Sequence, residues 1–528
     1  MIVQKSMNFH NPYHFVPVSK KPGPDSVPIE DFKSRQLPSH LTHARYVSET
    51  VQNQTKQPVF SGRLVCRLES ESPLVVGGEQ VKQNDNDPTI VKPFMSGRNP
   101  AIPASSLRGL ISSVAEAASN SALRVLEATG YALGPRRNDH PSAQDFFARV
   151  NPDLLPFGQN AAAAEKNDAL KKQWLTIAEL LFGFVEQRPS GKQPKNKESE
   201  KGGLAFASRL RPSLALPQAP AGSQDWWHVE GDGPAHNEAG EQWFTLKILG
   251  SPKPPSPALY FKFGCTAKKD LDLSRHQPQG RKFYLHHGEN STDWKTHPEN
   301  EGDSLKQKMS VRPLRCGLTF WFHFDFDNLS EIELELLCYA LRPSPRFRHK
   351  LGLGKPLGLG TVRIDPVGLF LVDREKRYGQ DLLNAPRYHR VWAEGDYSQW
   401  PTTYECERNE CIPARMNAPA ASQLASQFRE RMQKIAPEII HALELLGDPK
   451  EVTAPVHYPQ VARATGPNME KRHFQWWVEN AQQHQTLQPI GLEDQFMPLL
   501  PKFETQQGSR SGNRRPIQQG DRSRNRPR

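Results

Sequence analysis

The run His349–Ile364 reads H-K-L-G-L-G-K-P-L-G-L-G-T-V-R-I. The elements on either side of it restrict which folds are open to the chain. Four glycines, Gly352, Gly354, Gly358 and Gly360, are interleaved with Lys350 and Lys355. Glycine admits positive φ and close approach to the main chain. Exposed N–H groups beside lysines suit phosphate. Upstream, Ser330–Leu341 reads as a helix, because Ser330 and Glu333 make an S-x-x-E capping box and Leu334, Leu337, Cys338 and Leu341 form an apolar stripe. Downstream, Val362 and Ile364 alternate with Thr361 and Arg363, as in a strand. Walker loops and Rossmann fingerprints need the reverse order, strand–loop–helix. Lys355 is also followed by Pro356 rather than Ser or Thr. A polyanion contact is expected, RNA before nucleotide, against the plainer reading of a flexible connection.

The rest of the chain is consistent with a packed centre carrying insertions. Phe60–Ser70 alternates as a strand through Leu64, Cys66 and Leu68. A polar loop, Glu79–Pro100, separates it from a helix over Ile102–Ala118, capped by Ser105 or Ser106, with Leu107, Leu110, Ile111, Val114 and Ala118 on one face. Candidate strands follow at Leu204–Leu210 and Trp243–Leu249. The clearest alternation runs through Leu318, Phe320, Phe322, Phe324 and Phe326. The order β–α, strands, β–α–glycine loop–β fits an α+β, ferredoxin-like β-α-β-β-α-β sheet. Expected boundaries are an N-terminal arm (1–45), a core (46–375) with insertions near 79–100, 130–203, 211–242 and 265–310, a partly helical C-terminal extension (376–504) and a tail (505–528). In the extension, Ala421–Ile435 has helical spacing and Pro437 opens a second helix. The cluster Phe474, Trp476 and Trp477 reads as a small core rather than a base-stacking site beside Arg472.

Proline is abundant (47 residues) and the apolar fraction modest (36%), which predicts many loops. The net charge of +11 is uneven: seven arginines against Asp521 give residues 505–528 a charge of +6, leaving +5 for the body. The tail reads as disordered, either an RNA tether or a solubilising terminus. Six cysteines without a secretory start point to a reducing, cytoplasmic compartment, and no run is long enough to span a membrane. Residues 186–203 read as a mobile charged insertion. Cys406 and Cys411 have no second ligand pair at zinc-site spacing, so no metal site is expected.

Four stations in order resemble the RAMP superfamily of CRISPR type III systems, in particular its larger, insertion-rich relatives. S-G-R-L-V-C-R-L (Ser61–Leu68) resembles the family's first strand. I-P-A-S-S-L-R-G (Ile102–Gly109) is similar to its I-P-G-S-S-L-K-G motif. L-L-F-G (Leu180–Gly183) resembles a recurring tetrapeptide, and G-K-P-L-G-L-G-T-V (Gly354–Val362) its closing glycine loop. N-P-Y-H-F-V-P (Asn11–Pro17), S-P-K-P-P-S (Ser251–Ser256) and G-R-K-F-Y-L-H-H (Gly280–His287) resemble the larger relatives. Coverage runs from about residue 11 to 370.

The resemblance implies a guide-RNA-binding backbone subunit of an RNA-guided antiviral effector complex, with guide CRISPR RNA, target RNA and other effector subunits as partners. Ser105, Ser106, Arg108, Lys350, Gly352, Gly354, Lys355, Gly358 and Gly360 are then the expected RNA contacts. Family members often cleave target RNA with an aspartate before Asn-Pro on the loop between the first strand and helix. Here that loop reads N-D-N-D-P-T-I, with Asn86 in strict register and Asp85 and Asp87 beside it. These two are the candidate catalytic residues of an endoribonuclease. No cofactor is expected to be tightly bound; Mg or Mn would serve cleavage. A rival reading is a guide-processing endoribonuclease using His286 and His287 beside Arg281, Lys282 and Tyr284. A third is a non-catalytic structural adaptor.

Overall fold

A computed structural model describes residues 8–41, 59–124, 126, 142–158, 167–186, 204–218, 226–230, 240–249, 257–262, 265, 270–288, 294–296, 305–372, 388–393, 400–404, 407, 420–461, 469–492 and 497–503. In chain order its main elements are β1 (Tyr13–Val16), β2 (Phe60–Ser70), β3 (Gly77–Val81), β4 (Thr89–Pro93), α1 (Ala104–Ala118), β5 (Leu210–Pro212) and β6 (Arg281–Tyr284). They are followed by β7 (Met309–Val311), β8 (Thr319–Leu329), α2 (Glu331–Leu341), β9 (His349–Lys350), β10 (Thr361–Leu371), β11 (His389–Ala393), α3 (Ala421–Ile435) and α4 (Pro437–Gly447).

The architecture is α+β. The central sheet has the order β5-β8-β2-β10-β9, with every neighbouring pair antiparallel. The alternation seen in sequence sets its faces. Leu64, Cys66, Leu68, Phe320, Phe322, Phe324 and Ile364 point inward with Leu107, Ile111 and Leu337 of the two covering helices. Helix α2 starts on the expected capping box, Ser330 with Glu333. Helices α3 and α4 lie over the first helical layer; Phe428 packs on Tyr339 with ring centroids 5.3 Å apart, and Leu443 joins the same core. Trp476 is fully buried with Phe9, its ring stacked on Phe503, so it is a core residue as expected. The side chain of Phe474 and residues 251–256, 187–203, 406, 411 and 504–528 lie outside the described residues.

Several expectations need correction. The second core strand is Leu210–Pro212, with Leu216–Pro217 also paired on β8. Of the expected strand over 204–210, only Ala205–Phe206 and Leu210 are extended, and residues 211–217 belong to the sheet rather than to an insertion. Phe244–Thr245 joins a separate four-stranded sheet with β7, β4 and β3. The supposed polar loop over 79–100 is largely the β3–β4 hairpin of that sheet. The paired stretches Asn11–Pro17 and Gly280–His287 meet as an antiparallel ladder, with Lys282 opposite Phe15 and Tyr284 opposite Tyr13. No helix among the described residues is long and apolar enough to cross a membrane. Cys66, Cys316 and Cys338 are free thiols.

Candidate nucleic-acid interface

All four loop glycines have positive φ: +79° at Gly352, +71° at Gly354, +100° at Gly358 and +73° at Gly360. Crowding adds to this constraint. A Cβ at Gly352 would lie 2.2 Å from the Val75 carbonyl oxygen, and one at Gly360 would lie 1.8 Å from that of Leu351. The loop is therefore a rigid fitting. Its amides are largely consumed in the fit: Leu353 donates to Val75, Gly360 to Pro73, Leu351 to Gly360 and Leu357 to Gly354. Among the described residues the amides of Gly352, Gly354 and Lys355 have no acceptor. Of these, Gly352 and Lys355 line the adjoining groove, whereas Gly354 is buried and does not.

The two lysines divide the work. Lys350 is buried, and its Nζ donates to the carbonyls of Gly358 (3.1 Å) and Leu359 (3.2 Å). Burial pushes it down to about 7. A neutral amine still carries two N–H groups, which matches its two acceptors. Lys350 thus holds the loop together, which corrects its expected role as an RNA ligand. Lys355 lines a groove next to the loop and forms no ion pair among the described residues.

That groove, of about 470 Å³, runs between α1, the glycine loop, β6 and the base of the β3–β4 hairpin. From α1 come Ser106, Gly109 and Ser113, a stripe of small residues that leaves the helix backbone accessible. A Cβ at Gly109 would meet nothing within 4 Å. Lys282 projects in from β6. Its Nζ sits 4.0 Å from the Tyr13 ring centroid, 5.0 Å from Tyr284 and 5.8 Å from Tyr260, and donates to the Tyr260 hydroxyl at 3.3 Å. Burial lowers it to about 8, so it stays mostly protonated at neutral pH. No carboxylate lines the groove, whereas Lys282, Arg348, Lys350 and Lys355 do.

The other candidates fall into three groups. Helix α1 begins at Ala104, with Pro103 in the N-cap position and no side-chain cap, so neither Ser105 nor Ser106 caps it. The proline has the extended φ and ψ the position needs, and the mutual bonds between Ile102 and Ala215 fix the approach of the chain. Ser105 is exposed on the first turn and Ser106 faces the groove. Arg108 points elsewhere. It donates to the Phe182 carbonyl at the end of the short helix Ile177–Phe182, where Gly183 turns with φ +75°. Its role is to tie the I-P-A-S-S-L-R-G stretch to L-L-F-G, so it is not a groove ligand.

Asp85 and Asp87 sit at the tip of the β3–β4 hairpin. Asp85 is exposed, and Asp87 accepts from Asn84 Nδ2 at 2.7 Å. No three His, Cys, Asp or Glu side chains gather at one point among the described residues. A divalent ion at this tip would take Asp85 and Asp87 as its protein ligands and complete its shell with water and phosphate oxygens. His286 is buried between the Thr361 hydroxyl and the Arg348 carbonyl. Burial and the nearby Lys350 charge hold it far below its usual pKa, and push His287 down to about 3. Both rings are therefore neutral near pH 7, so neither supplies the protonated acid of the expected acid–base pair. Lys282 and its tyrosines were legible only as neighbours of these histidines.

The family model of the RAMP superfamily matches residues 67–363. Among solved structures, a chain of "Type IV-B CRISPR Complex" is 14% identical, over 57% of this chain and 89% of that chain, with a TM-score of 0.24. Csc2 of Thermofilum pendens is 10% identical, over 82% of this chain and 94% of that chain, with a TM-score of 0.25. No curated protein matches the sequence.

Proposed function

The chain belongs to the RAMP superfamily, and from that premise we propose that it is a guide-RNA-binding subunit of a CRISPR effector complex. The observation that carries this reading is the carboxylate-free groove lined by Ser106, Gly109, Lys282 and Lys355 together with the acceptor-free amides of Gly352 and Lys355. Such a site suits a sugar–phosphate backbone. Lysine charges and main-chain donors bind phosphates without regard to base identity, and accessible helix backbone leaves room for ribose. Sequence specificity would then come from pairing between guide and target.

The sheet order β5-β8-β2-β10, with helices after the first and third core strands, supports the ferredoxin-like reading. The finer assignment, to the backbone of a type III effector, rests on the order of the stretches Ser61–Leu68, Ile102–Gly109, Leu180–Gly183 and Gly354–Val362. Target cleavage, if this subunit performs it, would be done at Asp85 and Asp87. They lie on a hairpin whose base, Gly77 and Gln80, lines the groove. The test of the groove is Gly109→Glu, which adds a carboxylate at a groove-lining position where a Cβ meets nothing within 4 Å. Purified complexes carrying it should lose guide RNA, and undiminished RNA would refute the reading.

A further inference from the structure

The sheet face opposite α1 and α2 is divided in two. One half is closed. Val65, Trp321, Val367 and Phe370 lie under Tyr388, Trp400 and Tyr404, and Arg63 binds Asp325 through two bonds of 2.7 and 3.0 Å and Glu407 at 2.7 Å. The other half opens into a pocket of about 390 Å³ whose lining includes Arg67, Arg342, Arg348, Arg363 and Asp365. Here three guanidinium groups converge on one carboxylate. Asp365 accepts hydrogen bonds from Arg67 at 3.3 Å and from Arg363 at 3.0 Å, and Arg342 forms an ion pair with it at 3.0 Å.

We propose that this arginine cluster is a second phosphate-binding site, which holds the backbone of an RNA strand on the opposite face of the sheet, with Arg348 reaching both it and the groove. Asp365 is the orienting element: its side chain is only 9% exposed, while those of Arg67 and Arg342 remain 41% and 37% exposed at the mouth. A single carboxylate cannot consume the donors of three guanidiniums, each with five N–H groups. The pairing of Arg363 with Glu69 and of Arg348 with Glu71 uses some of the rest. Arg67 keeps N–H groups beyond its bond to Asp365 on a side chain that is 41% exposed. Fixed guanidinium forks around a shared anchor match the oxygens of a phosphodiester. The lining has no aromatic or large aliphatic side chain to anchor a protein partner; Pro345 and Val367 are its apolar members.

The test uses the full chain freed of copurified nucleic acid, titrated with a fluorescein-labelled single-stranded oligouridylate across a salt series. The double variant Arg67→Gln/Arg342→Gln leaves Asp365 its bond from Arg363. It should lower the slope of log affinity against log salt by about 1.4, two contacts at about 0.7 each. Pro345→Glu adds a carboxylate at the rim and removes no ion pair; it should also weaken binding, with an unchanged melting temperature. Unchanged affinity and slope in both variants would overturn the site. So would retained RNA binding combined with loss of copurifying protein subunits, which would make the pocket a protein contact. Weakened binding in these variants while Gly109→Glu binds normally would uphold this site and sink the groove.

Discussion

Gly109→Glu separates RNA binding from folding more cleanly than any substitution in the glycine loop. Gly109 lies inside α1 and a Cβ there meets nothing within 4 Å. The carbonyl that accepts from the hydroxyls of Ser112 and Ser113 is unchanged by the substitution. Replacing glycine in a helix interior should itself stabilise the chain by about 0.5–1 kcal/mol. The new carboxylate, however, enters a groove whose charged lining is cationic. At about 6 Å from a bound phosphate, like-charge repulsion costs about 0.7 kcal/mol in a water-like dielectric and about 2.8 kcal/mol at an effective dielectric of 20. The loss of affinity should therefore lie between about threefold and a hundredfold per subunit, larger at low salt. Fluorescence anisotropy with single-stranded RNA reads the affinity and thermal melting reads the fold. Gly109→Ala is the control, expected to bind normally and melt no lower than the native chain. If Gly109→Glu melts normally and binds RNA with the native affinity and salt dependence, the groove is not the RNA seat.

Other perturbations test the parts around it. Gly360→Ala should destabilise by about 2–4 kcal/mol or prevent folding, because φ is +73° and the new Cβ would lie 1.8 Å from the Leu351 carbonyl oxygen; a native-like urea midpoint would refute the fit described for the loop. Lys350 titrates at about 7 in the fold and near 10.4 when unfolded. Between these values the unfolded chain binds more protons, so stability should rise with pH from about 7 to about 10, and be flat below, where both states are charged. Lys350→Met should abolish that rise and cost about 1–3 kcal/mol through the two orphaned carbonyls; an unaltered pH profile would show that Lys350 is not buried as described. Asp85→Ala/Asp87→Ala should leave stability within about 0.5 kcal/mol, since the hairpin tip is at the surface. If the tip cleaves target RNA, this variant binds target and leaves it intact in Mg or Mn, and a full set of products would refute the assignment.

Where the sequence was readable, a local rule and the packed environment agreed. The phenylalanines of β8, the capping box of α2 and Pro437 at the start of α4 each carry their signal within a few residues. Strand β5 was misplaced because it is three residues long, ends in proline and is held by pairing to β8, more than a hundred residues away. The β3–β4 hairpin was read as a loop because most of its residues face water, so its alternation carries no apolar signal. Ser105 looked like a cap by residue type, but Pro103 has the extended backbone that position requires, and the helix starts one residue later.

The glycine loop shows how the same pattern can serve structure and recognition at once. Spacing alone marks a place where the chain needs positive φ, and all four positions have it. It cannot say which amides remain, because that depends on Pro73 and Val75, nearly three hundred residues upstream, which accept from Gly360 and Leu353. Nor can it distinguish Lys350 from Lys355, one turned under the loop and one toward the groove. The stitching to Pro73 and Val75 gives the loop a fixed shape before any ligand arrives, so the groove-lining amides of Gly352 and Lys355 need not be ordered on binding. Affinity at such a site gains from the entropy already spent in folding. The glycines thus serve recognition, if the proposed RNA seat holds, indirectly: they bind their own chain tightly enough that the few donors left over stand still.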